Sequence, residues 1–362
     1  MSVTNDIATD QRVNRIALSL CKLNASVTIV GRKRKQSLLL SSSYLNYKRF
    51  SLLFNKGPLF YACYNIRLFK YLLFQRFDIL VANDLDTLPA NYLVSKLTKV
   101  KLVYDSHEYF TEVPELVGRE RVKRIWEAME RWMLPKISYS YTVCQSIADI
   151  YNKKYGTAMQ VIRNLPNRNT DSEIIERISS GNDKIILYQG SVNIGRGIEP
   201  VIEAMKYLDH IKFVIIGEGD IKNQLEDLVK KLGVQDKVIF LGRIAADKLA
   251  SYTCQADIGI SLEENLGLSY YYALPNKLFD YIQAGIPVLV SNFPEMGNLV
   301  KKYNIGKATL VTQPEELSII LETMLNDKVK LKLWKENTKK AAAELCWDNE
   351  EKKLLDFYTN LI

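Results

Sequence analysis

Histidine is almost missing from these 362 residues, with only His107 and His210 present. That leaves little for a histidine-rich metal centre, and no metal site is expected. The five cysteines (Cys21, Cys63, Cys144, Cys254 and Cys346) are scattered, odd in number and never spaced as Cys-x-x-Cys. Such usage argues against a zinc or disulfide framework and for a reducing compartment. No apolar run is long enough to span a bilayer. Residues 1–6 do not combine a basic segment with an apolar one, so no secretory leader is expected and the chain is read as cytoplasmic. Neither a Gly-x-Gly-x-x-Gly fingerprint nor a Walker loop occurs, which removes support for NAD or ATP binding.

What is present describes a soluble globular protein: 47% hydrophobic and 25% charged residues, ordinary proportions for that class. The length exceeds one ordinary core and suits two domains. The net charge of +8 is unevenly placed. Residues 1–165 carry 25 Lys and Arg against 13 Asp and Glu, and the remainder is slightly acidic. Such asymmetry points the first domain toward an anionic partner. A basic, aromatic stretch lies within it, running from Tyr44 through Phe50, Phe60 and Tyr64 to Phe74, with Lys or Arg at 48, 49, 56, 67, 70 and 76. It suits docking at an anionic membrane surface, peripheral at the inner face. The plainer alternative is a core with a solvated charged face. No nucleic-acid-binding motif appears, so nucleic acid is not an expected partner.

Strand-like and helix-like patterns alternate along the chain. In the first half, strands are expected at 3–6, 26–31, 77–83, 101–106, 137–144 and 159–162. Thr9-Asp10 is expected to cap a helix, and Asn164-Leu165-Pro166-Asn167-Arg168-Asn169 begins a linker. Past it the alternation restarts, with strands at 185–188, 212–216, 238–241, 258–261, 288–290 and 308–311. Long charged helices close the chain. Such alternation implies parallel sheets covered by helices, in two lobes facing a cleft. Ligands of such sheets bind at the carboxyl ends of strands.

Those strand ends hold the candidate residues. Gly190, Ser191, Gly195, Arg196 and Gly197 form a glycine-rich turn before a helix, where backbone can approach a phosphate and Arg196 can offer a fork of donors. Gly217-Glu218-Gly219-Asp220 suits a ribose or sugar hydroxyl, or a helix cap by Asp220. Gly242, Arg243 and Ile244 could meet a nucleobase edge. Glu263 and Glu264 are candidate acceptors for sugar hydroxyls. In the first half, Asp84 and Asp86 follow one strand, and His107 and Glu108 follow another, as candidates for proton or hydrogen-bond work.

The stretch from Ser269 to Val288 organises the rest. Pro275 suits a helix start and Gly285 its end. Asn276 and Lys277 then fall in the first turn. A lysine there opposes the helix dipole unless an anion lies beside it. This is read as a diphosphate site; the alternative is a polar first turn facing water.

In their order, these residues resemble the GT-B glycosyltransferases of the family 4 kind. The resemblance rests on Thr9-Asp10-Gln11-Arg12-Val13, Asn83-Asp84-Leu85-Asp86, Tyr104-Asp105-Ser106-His107-Glu108, Asn164-Leu165-Pro166, the Gly-Arg-Gly turn, Gly217-Glu218-Gly219, Phe240-Leu241-Gly242-Arg243, and Pro275-Asn276-Lys277 through Pro287. It implies two Rossmann-like domains: residues 1–165 for the acceptor, and 166–345 for a nucleotide-sugar donor. A helix at about 346–362 would cross back to the first. It also implies retaining transfer without a metal or other cofactor, a UDP-sugar in preference to a GDP-sugar, and a glycan or lipid-linked oligosaccharide acceptor. The Lys277 pattern is associated with surface polysaccharide synthesis. By position, Arg196 matches the family's diphosphate contact, Asp280 the second acid of Glu-x7-Glu that holds the ribose, and Ile244 the base neighbour. Arg196, Lys277 and His107 are the expected catalytic residues, and Asp84, Asp86 and Glu108 fall on the acceptor side. Two positions depart from the pattern. Tyr272 stands where the first acid belongs, and Ser191 stands where a basic residue belongs, with Lys277 as the substitute charge. A nucleotide-sugar epimerase and a non-catalytic nucleotide-sugar-binding or membrane-associated protein remain as alternatives.

Overall fold

Strands buried on both faces need unbroken apolar runs, and such runs recur here. The computed structural model describes every residue except 36, 38, 41, 169–176, 179–182 and 362, and the Thr9 side chain. Asn169, at the end of the expected linker turn, lies outside the described residues. The chain divides into two compact units. One comprises Met1–Asn164 with the stretch from Glu350 onward, and the other Leu165–Asn349.

In the first unit the strands are β1 (Ser2–Asp6), β2 (Val27–Lys33), β3 (Leu45–Ser51), β4 (Ile79–Asn83), β5 (Lys101–Ser106), β6 (Tyr139–Thr142) and β7 (Gln160–Val161). They pair in the order β3-β2-β1-β4-β5-β6-β7, all parallel. The order reverses direction at β1 and β4. Loops leaving the carboxyl ends of those two strands diverge and open a crevice. The basic, aromatic stretch resolves into β3 and the helix Gly57–Leu73. That helix buries Phe60, Tyr64, Leu68 and Leu72, one residue per turn, so part of the aromatic run is core. Tyr64 is buried without penalty because its hydroxyl donates to the Val3 carbonyl at 2.5 Å. Tyr44, Phe54 and Phe74 stay exposed.

At the start of the helix Gln11–Cys21, Asp10 caps by accepting from the Val13 amide at 3.1 Å. The end of the chain is tied into this same unit. Ser19 and Lys22 both donate to the Glu351 carboxylate, at 2.5 and 2.7 Å. The Arg163 amide donates to Glu350 at 2.8 Å, and the Tyr141 and Tyr358 hydroxyls lie 3.3 Å apart.

In the second unit the strands are β8 (Lys184–Gln189), β9 (Ile211–Ile216), β10 (Val238–Gly242), β11 (Ile258–Ser261), β12 (Val288–Ser291) and β13 (Gly306–Thr309). Their order is β10-β9-β8-β11-β12-β13, again all parallel. Here the reversal falls between β8 and β11. Side chains alternate across the sheet. Ile186, Tyr188, Phe213 and Ile215 enter one apolar cluster, whereas Ile185, Leu187, Val214 and Ile216 enter the other with Leu278 and Tyr281. Thus the expected parallel α/β architecture is present twice.

Local differences have local causes. Pro275 precedes the helix Asn276–Gln283 as its cap rather than opening it, with extended backbone at φ −68° and ψ 143°. Asp220 does not cap the helix Lys222–Leu232; Ile221 holds that position without a side-chain bond. The Asp220 amide is instead held by Asn193 at 3.1 Å, which draws the two loops together. Among the described residues no helix is long and apolar enough to cross a membrane.

The glycines after β8 and β9 serve protein packing. A Cβ on Gly217 would lie 1.8 Å from the Gly190 carbonyl oxygen, and one on Gly197 would lie 1.9 Å from that of Leu262. Gly217 also has φ of +147°, which side chains rarely adopt. Gly217→Ala is therefore expected to destabilise the second unit by about 3 kcal/mol or more. Chemical denaturation of the two proteins measures this, and equal midpoints would contradict the packing described.

Candidate functional site

Lys277 occupies the second position of the helix Asn276–Gln283, where a cation faces the positive end of the helix dipole. It is also only 8% exposed. A lone ammonium could not rest there. The structure supplies the missing anion from the protein itself. The Lys277 Nζ donates to Glu263 Oε1 at 3.0 Å and lies 4.1 Å above the Tyr188 ring. Glu263 lies two residues past the end of β11, and Tyr188 belongs to β8, so the pair sits where the strand order reverses.

Arg196, in the turn after β8, approaches the same Glu263 oxygen at 3.8 Å. That distance is too long for a hydrogen bond. The guanidinium is held electrostatically and stacks 4.5 Å over the Tyr270 ring. Its Nε is buried without a hydrogen-bond partner. Two cations of different origin thus converge on one carboxylate oxygen. Burial works against the charge on Glu263, but Lys277, then Ser261, outweigh it and keep the carboxyl below its ordinary range.

Glu263, expected as an acceptor for sugar hydroxyls, is buried in this arrangement, with Oε1 accepting from Lys277 and Oε2 from Ser261 Oγ at 2.7 Å. Glu264 is half-buried, with its amide donating to the Gly195 carbonyl at 2.9 Å. Asp280 accepts from Gln189 Nε2 at 3.0 Å, and Gln189 in turn accepts from Thr253.

The glycine-rich loops are stitched to one another. The Gly190 amide donates to Ile216, Val192 to Glu218 and Gly217 to Gly242, at 2.9, 3.0 and 2.8 Å. Gly195 packs on Leu266, and Gly219 on the Val192 carbonyl. Gly190 and Ser191 are exposed at the rim, and the Ser191 carbonyl is fixed by the Tyr188 hydroxyl at 2.6 Å. Asn276 is exposed at the helix start. Arg243 is exposed, and Ile244 is half-buried against the core that contains Leu278.

The first unit holds a second charge cluster where β1, β4 and β5 end. His107 Nδ1 lies 3.2 Å from Asp84 Oδ2, and Nε2 lies 3.2 Å from Asp105 Oδ2. Arg12 closes the row with a 2.8 Å bond to Asp105 Oδ1. Burial disfavours charge on His107, yet Asp84 and then Asp105 outweigh it and raise its pKa to about 9. Asp105 is likewise opposed by burial but held at about 2 by Arg12, then His107. The imidazole is therefore a cation at neutral pH with both nitrogens engaged. Of the proton or hydrogen-bond work expected of His107, this arrangement shows the hydrogen-bonding side, with both ring nitrogens facing carboxylates.

Asp84 adopts φ of +60°, and its Oδ1 accepts the His107 amide at 2.8 Å. Asp86, nearly buried, accepts from Thr4 Oγ1 at 2.5 Å. Burial, then Asp84, lift its pKa to about 7. Glu108 is exposed beside this row, and its main-chain oxygen accepts from Ser106 Oγ at 2.7 Å.

Sequence reasoning gave no site role to Tyr188, Tyr270, Arg12 or Asp105. One signal could have found Arg12. Like Lys277, it is a cation at the second position of a helix. Both need a buried carboxylate nearby, and each has one.

Comparison with known proteins gives these units relatives. Residues 10–167 match the family model described as Glycosyltransferase Family 4, and residues 170–341 match Glycosyl transferases group 1. An uncharacterized glycosyltransferase of Methanocaldococcus jannaschii is 32% identical over 182 residues, which cover 49% of this chain and 45% of that one. The alpha-monoglucosyldiacylglycerol synthase of Streptococcus pneumoniae is 30% identical over 149 residues, 40% of this chain and 32% of that one. The chain thus spans less than half the length of these two relatives. An Anabaena protein solved with UDP-glucose is similar in fold, with a TM-score of 0.76 at 14% identity, covering 99% of this chain and 98% of that one.

The ion row of the first unit is testable without any ligand. The folded pKa of His107, about 9, lies above its ordinary 6.5. Its stabilising contribution is then complete below about pH 6.5 and lost as pH rises through 9. Urea denaturation of the wild type and His107→Gln should show a stability gap that shrinks across that window. A gap that stays constant would show that the imidazole is not charged in the folded protein.

Proposed function

The chain belongs to the GT-B glycosyltransferases of the family 4 kind, and from that premise we propose that it moves a sugar from a nucleoside-diphosphate donor held by the second unit to a glycan or lipid-linked acceptor held by the first. The observation that carries this reading is the convergence of Arg196 and Lys277 within 4 Å of one Glu263 oxygen. A pair of linked phosphates is the chemistry that suits two close cations beside the start of a helix.

The transfer is read as retaining. As the bond between the anomeric carbon and the phosphate oxygen breaks, negative charge grows on the leaving diphosphate. Arg196, Lys277 and the helix Asn276–Gln283 would stabilise that charge where it develops. The acceptor hydroxyl attacks the sugar carbon from the same face, and its proton passes to the departing phosphate. No protein base is needed. His107 acts at a distance, as the charge that fixes Asp84.

A UDP-sugar is the preferred donor, supported by the UDP-glucose bound to the similar Anabaena structure. Asp280 would hold the ribose, and Ile244 would sit beside the base. For the acceptor, the pneumococcal relative is named for a diacylglycerol lipid. A lipid-linked acceptor would require docking at an anionic membrane, and the first unit has a surface of that character. The helix Glu120–Met133 exposes Arg121, Arg124 and Arg131 together with Ile125 and Trp132, which are 57% and 48% exposed. Surface polysaccharide synthesis is the setting that joins such a donor and acceptor.

A thermal-shift screen of nucleotides and nucleotide sugars should find a uridine diphosphate compound that raises the melting temperature. Arg196→Ala should then lower kcat by about a hundredfold or more with little loss of stability, since Arg196 makes no hydrogen bond to Glu263. Lys277→Ala should lower kcat similarly and destabilise as well, because it strands a buried carboxylate. Near-normal turnover in both variants would count against the scheme. Product analysis with and without acceptor separates transfer from epimerisation, and binding without turnover would indicate a non-catalytic protein.

A further inference from the structure

Glu263 is a buried carboxylate, yet it lies within 4 Å of both cations of the proposed diphosphate site. We infer that Glu263 is a positioning residue that sets both the geometry and the net charge of that site, an inference that rests on the transferase reading above. The carboxylate is held from two strands. Its Oε2 accepts from Ser261 Oγ of β11 at 2.7 Å, and its main-chain oxygen accepts from Ser291 Oγ of β12 at 2.7 Å. With the anion fixed, Lys277 is placed at 3.0 Å and Arg196 at 3.8 Å from one oxygen. Two like charges alone would repel one another away from a common point. Here they converge on it, and the rings of Tyr188 and Tyr270 back them from behind at 4.1 and 4.5 Å.

The charge balance has a kinetic meaning. Arg196, Lys277 and Glu263 together present a single positive charge in place of two. A nucleoside diphosphate is a highly charged product, and a doubly positive site would hold it more tightly. Glu263 weakens that hold so that product can leave, while still aiming both cations at the breaking bond. The carboxylate never meets substrate, so its effect runs entirely through Lys277 and Arg196.

Two variants separate charge from geometry. Glu263→Gln keeps the side-chain shape and removes the charge. Glu263→Asp keeps the charge and withdraws the carboxylate from Lys277 by one methylene. Titration calorimetry of the full chain with inorganic pyrophosphate and with UDP reads the result, alongside kcat, KM and the melting temperature. Glu263→Gln should bind pyrophosphate about tenfold more tightly or better, with a steeper salt dependence and a lower kcat. Glu263→Asp should bind it more weakly, with a higher KM. A purely structural residue would give no tightening in either. If folded Glu263→Gln binds pyrophosphate no more tightly than wild type, the inference falls and the transferase reading stands. If Glu263→Gln fails to fold, unchanged pyrophosphate affinity, kcat and KM in Glu263→Asp overturn it. If the wild type binds neither pyrophosphate nor any nucleoside diphosphate, the transferase reading itself falls and takes this inference with it.

Discussion

A lysine ammonium shut away from water, at the end of a helix that repels it, exists in this protein because a carboxylate lies 3.0 Å off. The rest of the second unit follows from accommodating that pair. Glu263 must be buried to reach Lys277, so Ser261 and Ser291 satisfy its remaining side-chain oxygen and its main-chain oxygen. Removing either partner of such a pair leaves a buried charge, at a cost of about 3–5 kcal/mol. The loops carrying Gly190, Gly197, Gly217 and Gly219 then pack backbone to backbone, and several of these contacts leave no room for a Cβ. Rigidity at the site comes from this loop packing as much as from the ion pair.

The first unit uses the same device with different residues. Arg12 stands second in its helix, as Lys277 does, and meets the buried Asp105 at 2.8 Å. There the row continues through His107 to Asp84, with signs alternating. In both units the cluster lies at the carboxyl ends of strands where the sheet order reverses, where diverging loops leave a crevice. The units differ in what their charges leave over. Around Lys277, one cation exceeds the anion, whereas the four members of the His107 row balance. The first arrangement suits an anionic ligand. The second suits fixing a carboxylate, Asp84, in a backbone conformation that side chains seldom adopt.

Much of this was legible before any coordinates. The alternation of apolar runs and amphipathic helices marked two parallel sheets, since a strand covered on both faces needs an unbroken apolar run. The strand ends singled out as functional are indeed where Arg196, Glu263 and the glycines meet. The oddity of Lys277 was visible from its position alone. The identity of its anion was not, because Glu263 lies fourteen residues away in another element. His107 shows the same limit: a lone histidine at a strand end invites a catalytic reading, and only the flanking positions of Asp84 and Asp105 reveal both nitrogens engaged.

Composition, periodicity and the residues at strand ends by themselves determined the α/β class and the division into two units. These properties follow from local propensity and from the burial of apolar faces, both written residue by residue along the chain. Tertiary structure alone decided which charges neutralise which, that Glu263 is the anion beside Lys277, and that the glycines make room for neighbouring backbone. Pairing energies depend on distances of a few ångströms between residues far apart in sequence, and those distances exist only once the sheets have formed.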